Sequence, residues 1–221
     1  VNKEIFNFLS ELKENNNRDW FNEHKERYKQ LNQDFHILVN QIIGKIKQFN
    51  GDIGLLDAKD CTFRIYRDVR FSPDKSPYKA HMGAFIAPGG RKSMKAGYYF
   101  HLEPGNSLLA GGLWQPPSNV LKSLRQDIYD RTDEFKELIY SECFKKNFGK
   151  IMDGDKLKKA PKGFSEDFPD IDLLKYKSYT VMKKLPDEVL LSDKFEQEVI
   201  DVYGCLYDFN CFLNRSIEMT E

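Results

Sequence analysis

Across residues 59–114 the apolar side chains lose any helical period and gather in short, aromatic-rich stretches at 61–67, 80–87, 97–103 and 107–114, bounded by Gly and Pro. Stretches of this kind read as strands. The segments between them are too short to hold the crossover helix that parallel neighbours require, so successive strands should pair antiparallel. Glu103-Pro104-Gly105-Asn106 supplies a hairpin turn between two of them. The centre of the chain is therefore expected to be an antiparallel sheet.

Helical periodicity returns on both sides. Ile5, Phe8, Leu9 and Leu12 predict a helix over 2–14, stopped by Asn15-Asn16-Asn17. From Arg18, Phe21, Tyr28, Leu31, Phe35, Leu38, Ile42, Ile46 and Phe49 predict one long helix, capped by an asparagine and ending before Asn50-Gly51. Val120, Leu121, Leu124 and Ile128, then Phe135, Leu138, Ile139 and Cys143, predict two more helices after Pro117. Residues 154–172 read as a loop, 172–175 as a helical turn and 178–185 as a last strand. A C-terminal helix over 193–212 is introduced by Ser192. The expected fold is α+β, a mainly antiparallel sheet packed by a long N-terminal helix and C-terminal helices. No linker or repeat divides it, so residues 1–221 are read as a single domain.

With 40% hydrophobic and 14% aromatic residues the chain can bury a sizeable core, which excludes disorder over its whole length. No apolar run approaches a membrane span, and the N-terminus is too polar for a signal peptide, so a cytoplasmic protein with no membrane partner is expected. Val1 in place of Met points to a fragment, a processed chain or an unusual start. Cys61, Cys143, Cys205 and Cys211 form no C-x-x-C pair and read as unpaired thiols.

Strand alternation narrows the search for chemistry, because residues two apart share a face. Tyr98, Phe100 and Leu102 should face the core with Met82, Ala84, Ile86, Phe63 and Ile65. That turns Tyr99, His101, Glu103, His81, Arg64 and Tyr66 to the other face, where Gly83 leaves room for a ligand. His101 or His81 with Glu103 could form an acid–base pair, since a carboxylate orients and charges an imidazole. The same three residues offer two nitrogens and an oxygen to a metal, but no ligand spacing in the sequence supports one, and none is assigned.

Residues 64–79 carry Arg64, Arg67, Arg70, Lys75 and Lys79 against only Asp68 and Asp74, with prolines stiffening the turn. Guanidinium forks and ammonium charges suit a phosphate or carboxylate; the competing reading is a solvated, self-paired loop. Trp20, His24 and Tyr28 share one side of the long helix and pack as core, or Arg18, His24 and Lys25 lean over the cleft to complete an anion site. The dinucleotide G-x-G-x-x-G, the P-loop, the G-x-S-x-G elbow and H-E-x-x-H are all missing, and no cofactor is specified.

NNNRDWFNEHKERY, RIYRDVRFSPDKSPYKAHMG, GYYFHLEPGNSLLAGGLW and PKGF, at residues 15–28, 64–83, 97–114 and 161–164, resemble the family known as domain of unknown function 2461. The likeness runs over nearly the whole chain. It implies a single-domain protein whose characteristic residues include 64–79, His24, His101 and Trp114. It carries over no catalytic role.

Lys+Arg and Asp+Glu are equal at 34 each, yet the neutrality is a cancellation. Residues 59–103 hold nine basic and four acidic side chains, while 186–221 hold nine acidic and two basic. Such asymmetry suits a localised anion site. The leading expectation is a small anionic ligand, phosphate- or carboxylate-bearing, held in a cleft between sheet and long helix by Arg64, Arg67, Arg70 and Lys75 or Lys79. Tyr66, Tyr99 and Trp114 would add stacking or hydrogen bonds. The alternatives are a nucleic-acid binder using the same loop, and a non-catalytic interaction module.

Overall fold

The computed structural model describes residues 1–218, so Glu221, one of the acidic residues counted above, lies outside the described residues. Asn2 opens α1 (Lys3–Glu14) by accepting from the Glu4 amide at 2.9 Å, and Asn17 opens α2 (Arg18–Glu23) by accepting from the Trp20 amide at 2.9 Å. A third helix, α3 (Lys25–Ile46), follows after one residue. The single helix expected from Arg18 is thus split at His24, which leaves helical geometry at ψ 13° while its Nδ1 sits 2.8 Å from the Trp20 carbonyl. One non-helical residue barely disturbs the apolar period, which is why the sequence reads as continuous.

The first expected strand is not one. Asp57 and Asp60 build a capping box that makes α4 (Ala58–Cys61) a helical turn. The chain then runs extended, with only isolated bridges from Thr62 to Ala84 and from Tyr66 to Tyr78. Ile65 is buried as expected, but Phe63 is 41% exposed instead of in the core. With no regular ladder to fix its pleat, this segment turns Phe63 outward.

The sheet comprises β1 (Met82–Ile86), β2 (Gly97–Leu102), β3 (Leu108–Leu113) and β4 (Tyr179–Lys184), paired antiparallel in that order. Between β3 and β4 come α5 (Ser118–Asp130), α6 (Thr132–Tyr140), α7 (Glu142–Phe148) and α8 (Ile171–Leu174); α5 to α7 are three helices where two were expected. After β4 come α9 (Asp187–Leu190), α10 (Phe195–Cys205) and α11 (Tyr207–Glu218), the last two dividing the expected C-terminal helix at Leu206.

One face of the sheet is covered. Phe100 lies between Phe35 of α3 and Phe195 of α10, with ring centroids 6.1 and 5.8 Å away, and Tyr98 packs on Tyr203 at 5.1 Å. The buried side chains form one contiguous cluster that includes α1, α3, the sheet and the C-terminal helices. Gly111 and Gly112 serve close packing: a Cβ on Gly111 would lie 2.6 Å from the Leu206 side chain. Cys143 and Cys205 are not free thiols as expected but form a disulfide, with Cα atoms 5.9 Å apart, because α7 packs beside the end of α10. Residues so distant in sequence give no spacing signal. Among the described residues no helix is long and apolar enough to cross a membrane.

Candidate functional site

The alternation of β2 sets Tyr99 and His101 opposite the buried Tyr98, Phe100 and Leu102, and Glu103 continues the same face. In register, His101 stands beside Gly83 and Leu108, and Tyr99 beside Phe85 and Ala110. Gly83 does leave room, and Tyr99 uses it: a Cβ at 83 would come within 2.9 Å of the Tyr99 hydroxyl. The ring therefore reaches across β1, and its hydroxyl meets His101 Nδ1 at 3.0 Å. On the other side His101 Nε2 is 2.9 Å from Glu103 Oε2, which also accepts from Asn106 Nδ2 at 3.1 Å. A single neutral tautomer satisfies the chain, with Nε2–H donating to Glu103 and Nδ1 accepting from Tyr99.

His81 stands over this chain, its ring centroid 4.3 Å from that of His101, and makes no hydrogen bond to a described residue. Burial, and then the neighbouring His101, push its pKa down to about 4. Burial raises the Glu103 carboxyl, but the His101 and Asn106 hydrogen bonds outweigh it and the net direction is down. The Tyr99 hydroxyl is raised by burial and by Glu103. His81, His101 and Glu103 each offer a metal-ligating atom, and these atoms lie within 4.8 Å of one another.

Two cations flank the group. Arg64 and Lys79 line a polar pocket of about 250 Å³ together with Phe63, His81, Gly83 and Tyr99. Lys79 Nζ donates to the Arg64 carbonyl at 2.9 Å and lies 5.7 Å from the Phe63 ring centroid. Its pKa is lowered, first by burial and then by Arg64. Neither cation pairs with a carboxylate among the described residues. Of the other loop cations, the two arginines are held by carboxylates, while Lys75, like Lys79, is held by a carbonyl. Arg67 is bound to Asp74, Arg70 to Asp68 at 2.6 Å, and Lys75 donates to the Val69 carbonyl at 3.0 Å.

The rest of the expected site is dispersed. Tyr66 packs on Phe21 and Tyr78, with centroids 6.0 and 5.5 Å away, rather than beside Tyr99. His24 is stacked on Trp20 at 4.1 Å, and Arg18 lies exposed at the start of α2, so neither lines the pocket. Trp114 is exposed and stands on the rim of an apolar trough of about 580 Å³. Tyr99, Ala110 and Met182 line this trough on the open face of the sheet, with Phe63, Met94 and Met152 beside them. The helix α3 packs on the opposite face, so the trough is not the expected cleft beneath it. Instead, α3 contributes Tyr28, Asn32 and His36 to a second, basic pocket of about 640 Å³ with Lys59, Thr62, Phe63, Arg64, Lys79, Arg91 and Lys92.

Lys59 and Arg91 were not singled out from the sequence; the only signal was the basic excess of the whole region. They meet because Arg91 Nη1 donates to the Lys59 carbonyl at 2.6 Å. A match to the family described as "Conserved hypothetical protein (DUF2461)" covers residues 4–212, which include every residue of the site. The chain belongs to this family. No curated protein and no solved structure matches it. What DUF2461 membership contributes is thus the family alone, and the chemistry must come from the geometry.

Proposed function

We propose that this DUF2461 protein binds a small amphipathic anion, with an aromatic or aliphatic body in the trough and a phosphate or carboxylate head over Arg64 and Lys79. The observation that carries this reading is a shared wall. Phe63 and Tyr99 line both the apolar trough and the polar pocket, and Phe63, Arg64 and Lys79 line both the polar and the basic pockets. The reading requires one ligand to reach across this wall. The trough lies within the size range of small-molecule sites, roughly 300–1,000 Å³. Pairing of Arg67 with Asp74 and of Arg70 with Asp68 neutralises both arginines of the outer loop and leaves Lys75, held by the Val69 carbonyl, as its one cation without a carboxylate among the described residues, which favours a compact head group over a polyanion such as single-stranded nucleic acid.

Isothermal titration with 1-naphthyl phosphate, 1-naphthol and inorganic phosphate tests the reading. The naphthyl phosphate should bind at least about tenfold more tightly than either half, because burial of the ring and charge-assisted hydrogen bonds to the head contribute together. Equal affinity for 1-naphthol and its phosphate would remove the anion site, and equal affinity for phosphate and naphthyl phosphate would remove the trough.

A further inference from the structure

His81, His101 and Glu103 have features that anion binding does not require. They come from the approach to β1, from β2 and from the turn after β2, yet their donor atoms lie within 4.8 Å of one another. His101 Nε2 and Glu103 Oε2 are already 2.9 Å apart, near the roughly 3.3 Å separating two donors on one ion with bonds of about 2.0–2.2 Å. His81 is a partly buried imidazole with no hydrogen-bond partner among the described residues and contributes the third donor. Outer contacts are also present. Tyr99 Oη is 3.0 Å from the far nitrogen of His101, and Asn106 Nδ2 is 3.1 Å from Glu103 Oε2. Groups in these positions fix the tautomer and orientation of metal ligands.

We infer that His81, His101 and Glu103 bind one first-row divalent transition metal, with its remaining coordination positions open to the polar pocket beside Arg64 and Lys79. Two imidazoles and a carboxylate form a borderline donor set suited to such ions, in contrast to the all-oxygen shells of Mg²⁺ and Ca²⁺. On binding, the metal takes Nε2 of His101, and the single imidazole proton resides on Nδ1, donated to Tyr99 Oη. Glu103 neutralises one of the ion's two charges. The remaining charge adds to Arg64 and Lys79, so an anionic head in the pocket would gain a third positive anchor and could ligate the ion directly. This coupling rests on the ligand reading above; metal binding by the three side chains does not.

The test is titration of the chelator-treated protein with Zn²⁺ by calorimetry and with Co²⁺ by visible absorption. The expected result is one ion per chain and a Co²⁺ spectrum without thiolate charge transfer. His81→Ala and Glu103→Gln should each weaken Zn²⁺ more than about 100-fold by removing a ligand from a set of three. Both substitutions are at part-exposed positions, and circular dichroism confirms that each variant remains folded. Tyr99→Phe should weaken Zn²⁺ by roughly tenfold through loss of an outer contact. Absence of Zn²⁺ binding in wild type would overturn the inference, as would affinity unchanged in both His81→Ala and Glu103→Gln, or a thiolate band showing that cysteines hold the ion. Adding 1-naphthyl phosphate to the zinc-loaded protein separates the two readings: tighter binding than to the metal-free protein supports the coupling, while its absence removes the coupling and leaves metal binding to stand on the titration alone.

Discussion

Gly112→Ala should destabilise the protein by about 4 kcal/mol or more, lowering Tm by roughly 8–16 °C for a chain of this size. Gly112 sits in β3 at φ +104°, a backbone conformation that side chains disfavour, and a Cβ there would lie 2.0 Å from the Tyr179 carbonyl oxygen. Tyr179 is opposite Leu113 at the start of β4 and is fully buried, so neither the backbone nor its side chain can yield cheaply. Relief would require parting β3 from β4, and with them the open face that forms the trough. Gly154→Ala provides the comparison. It has nothing within 4 Å of its would-be Cβ and no positive φ, so its Tm should stay within about 1–2 °C of wild type. Thermal melts of the two variants measure the difference directly.

Arg64→Ala combined with Lys79→Ala should weaken 1-naphthyl phosphate roughly 100-fold while leaving 1-naphthol affinity within about twofold. Each cation can make a charge-assisted hydrogen bond to the phosphate worth about 1.5–3 kcal/mol, and the lower end applies because Arg64 is exposed and Lys79 only half-buried. The specificity of the effect follows from their surroundings. Neither cation carries a carboxylate partner among the described residues, so removing both breaks no ion pair. Lys79 donates to the Arg64 carbonyl, and the loss of that contact is the main structural cost. Arg67→Ala and Arg70→Ala serve as controls. Their charges are engaged by Asp74 and Asp68, and their loss should alter ligand affinity far less than that of Arg64 and Lys79.

What the sequence made legible was local. The period of two on β2 correctly separates buried Tyr98, Phe100 and Leu102 from Tyr99, His101 and Glu103, because pleating alone dictates it. The turn at 103–106 and the antiparallel pairing follow from connection length. The misses involve long-range packing. Alternation picks out the core face of β2, but it does not say which face α3 covers; the helix docks on the core face through Phe35 and Phe100, so the cleft expected between helix and sheet is not where the open face lies. Tyr66 reads as a neighbour of Tyr99, but its segment bridges to Tyr78 and turns its ring toward Phe21. Lys59, Arg64 and Arg91 share a pocket through folding of the chain around Phe63. No spacing rule encodes that meeting; only the regional excess of basic residues hinted at it.

On the proposed function, one ligand spans the apolar trough and the cationic pocket across the shared wall of Phe63 and Tyr99. A crystal structure of the protein with 1-naphthyl phosphate tests it most directly. The naphthyl ring should lie in the trough against Ala110 and Tyr99, with phosphate oxygens within hydrogen-bonding distance of Arg64 and Lys79. A phosphate remote from both cations, or a ring lodged instead in the groove between Leu38 of α3 and Phe195 of α10, would contradict it.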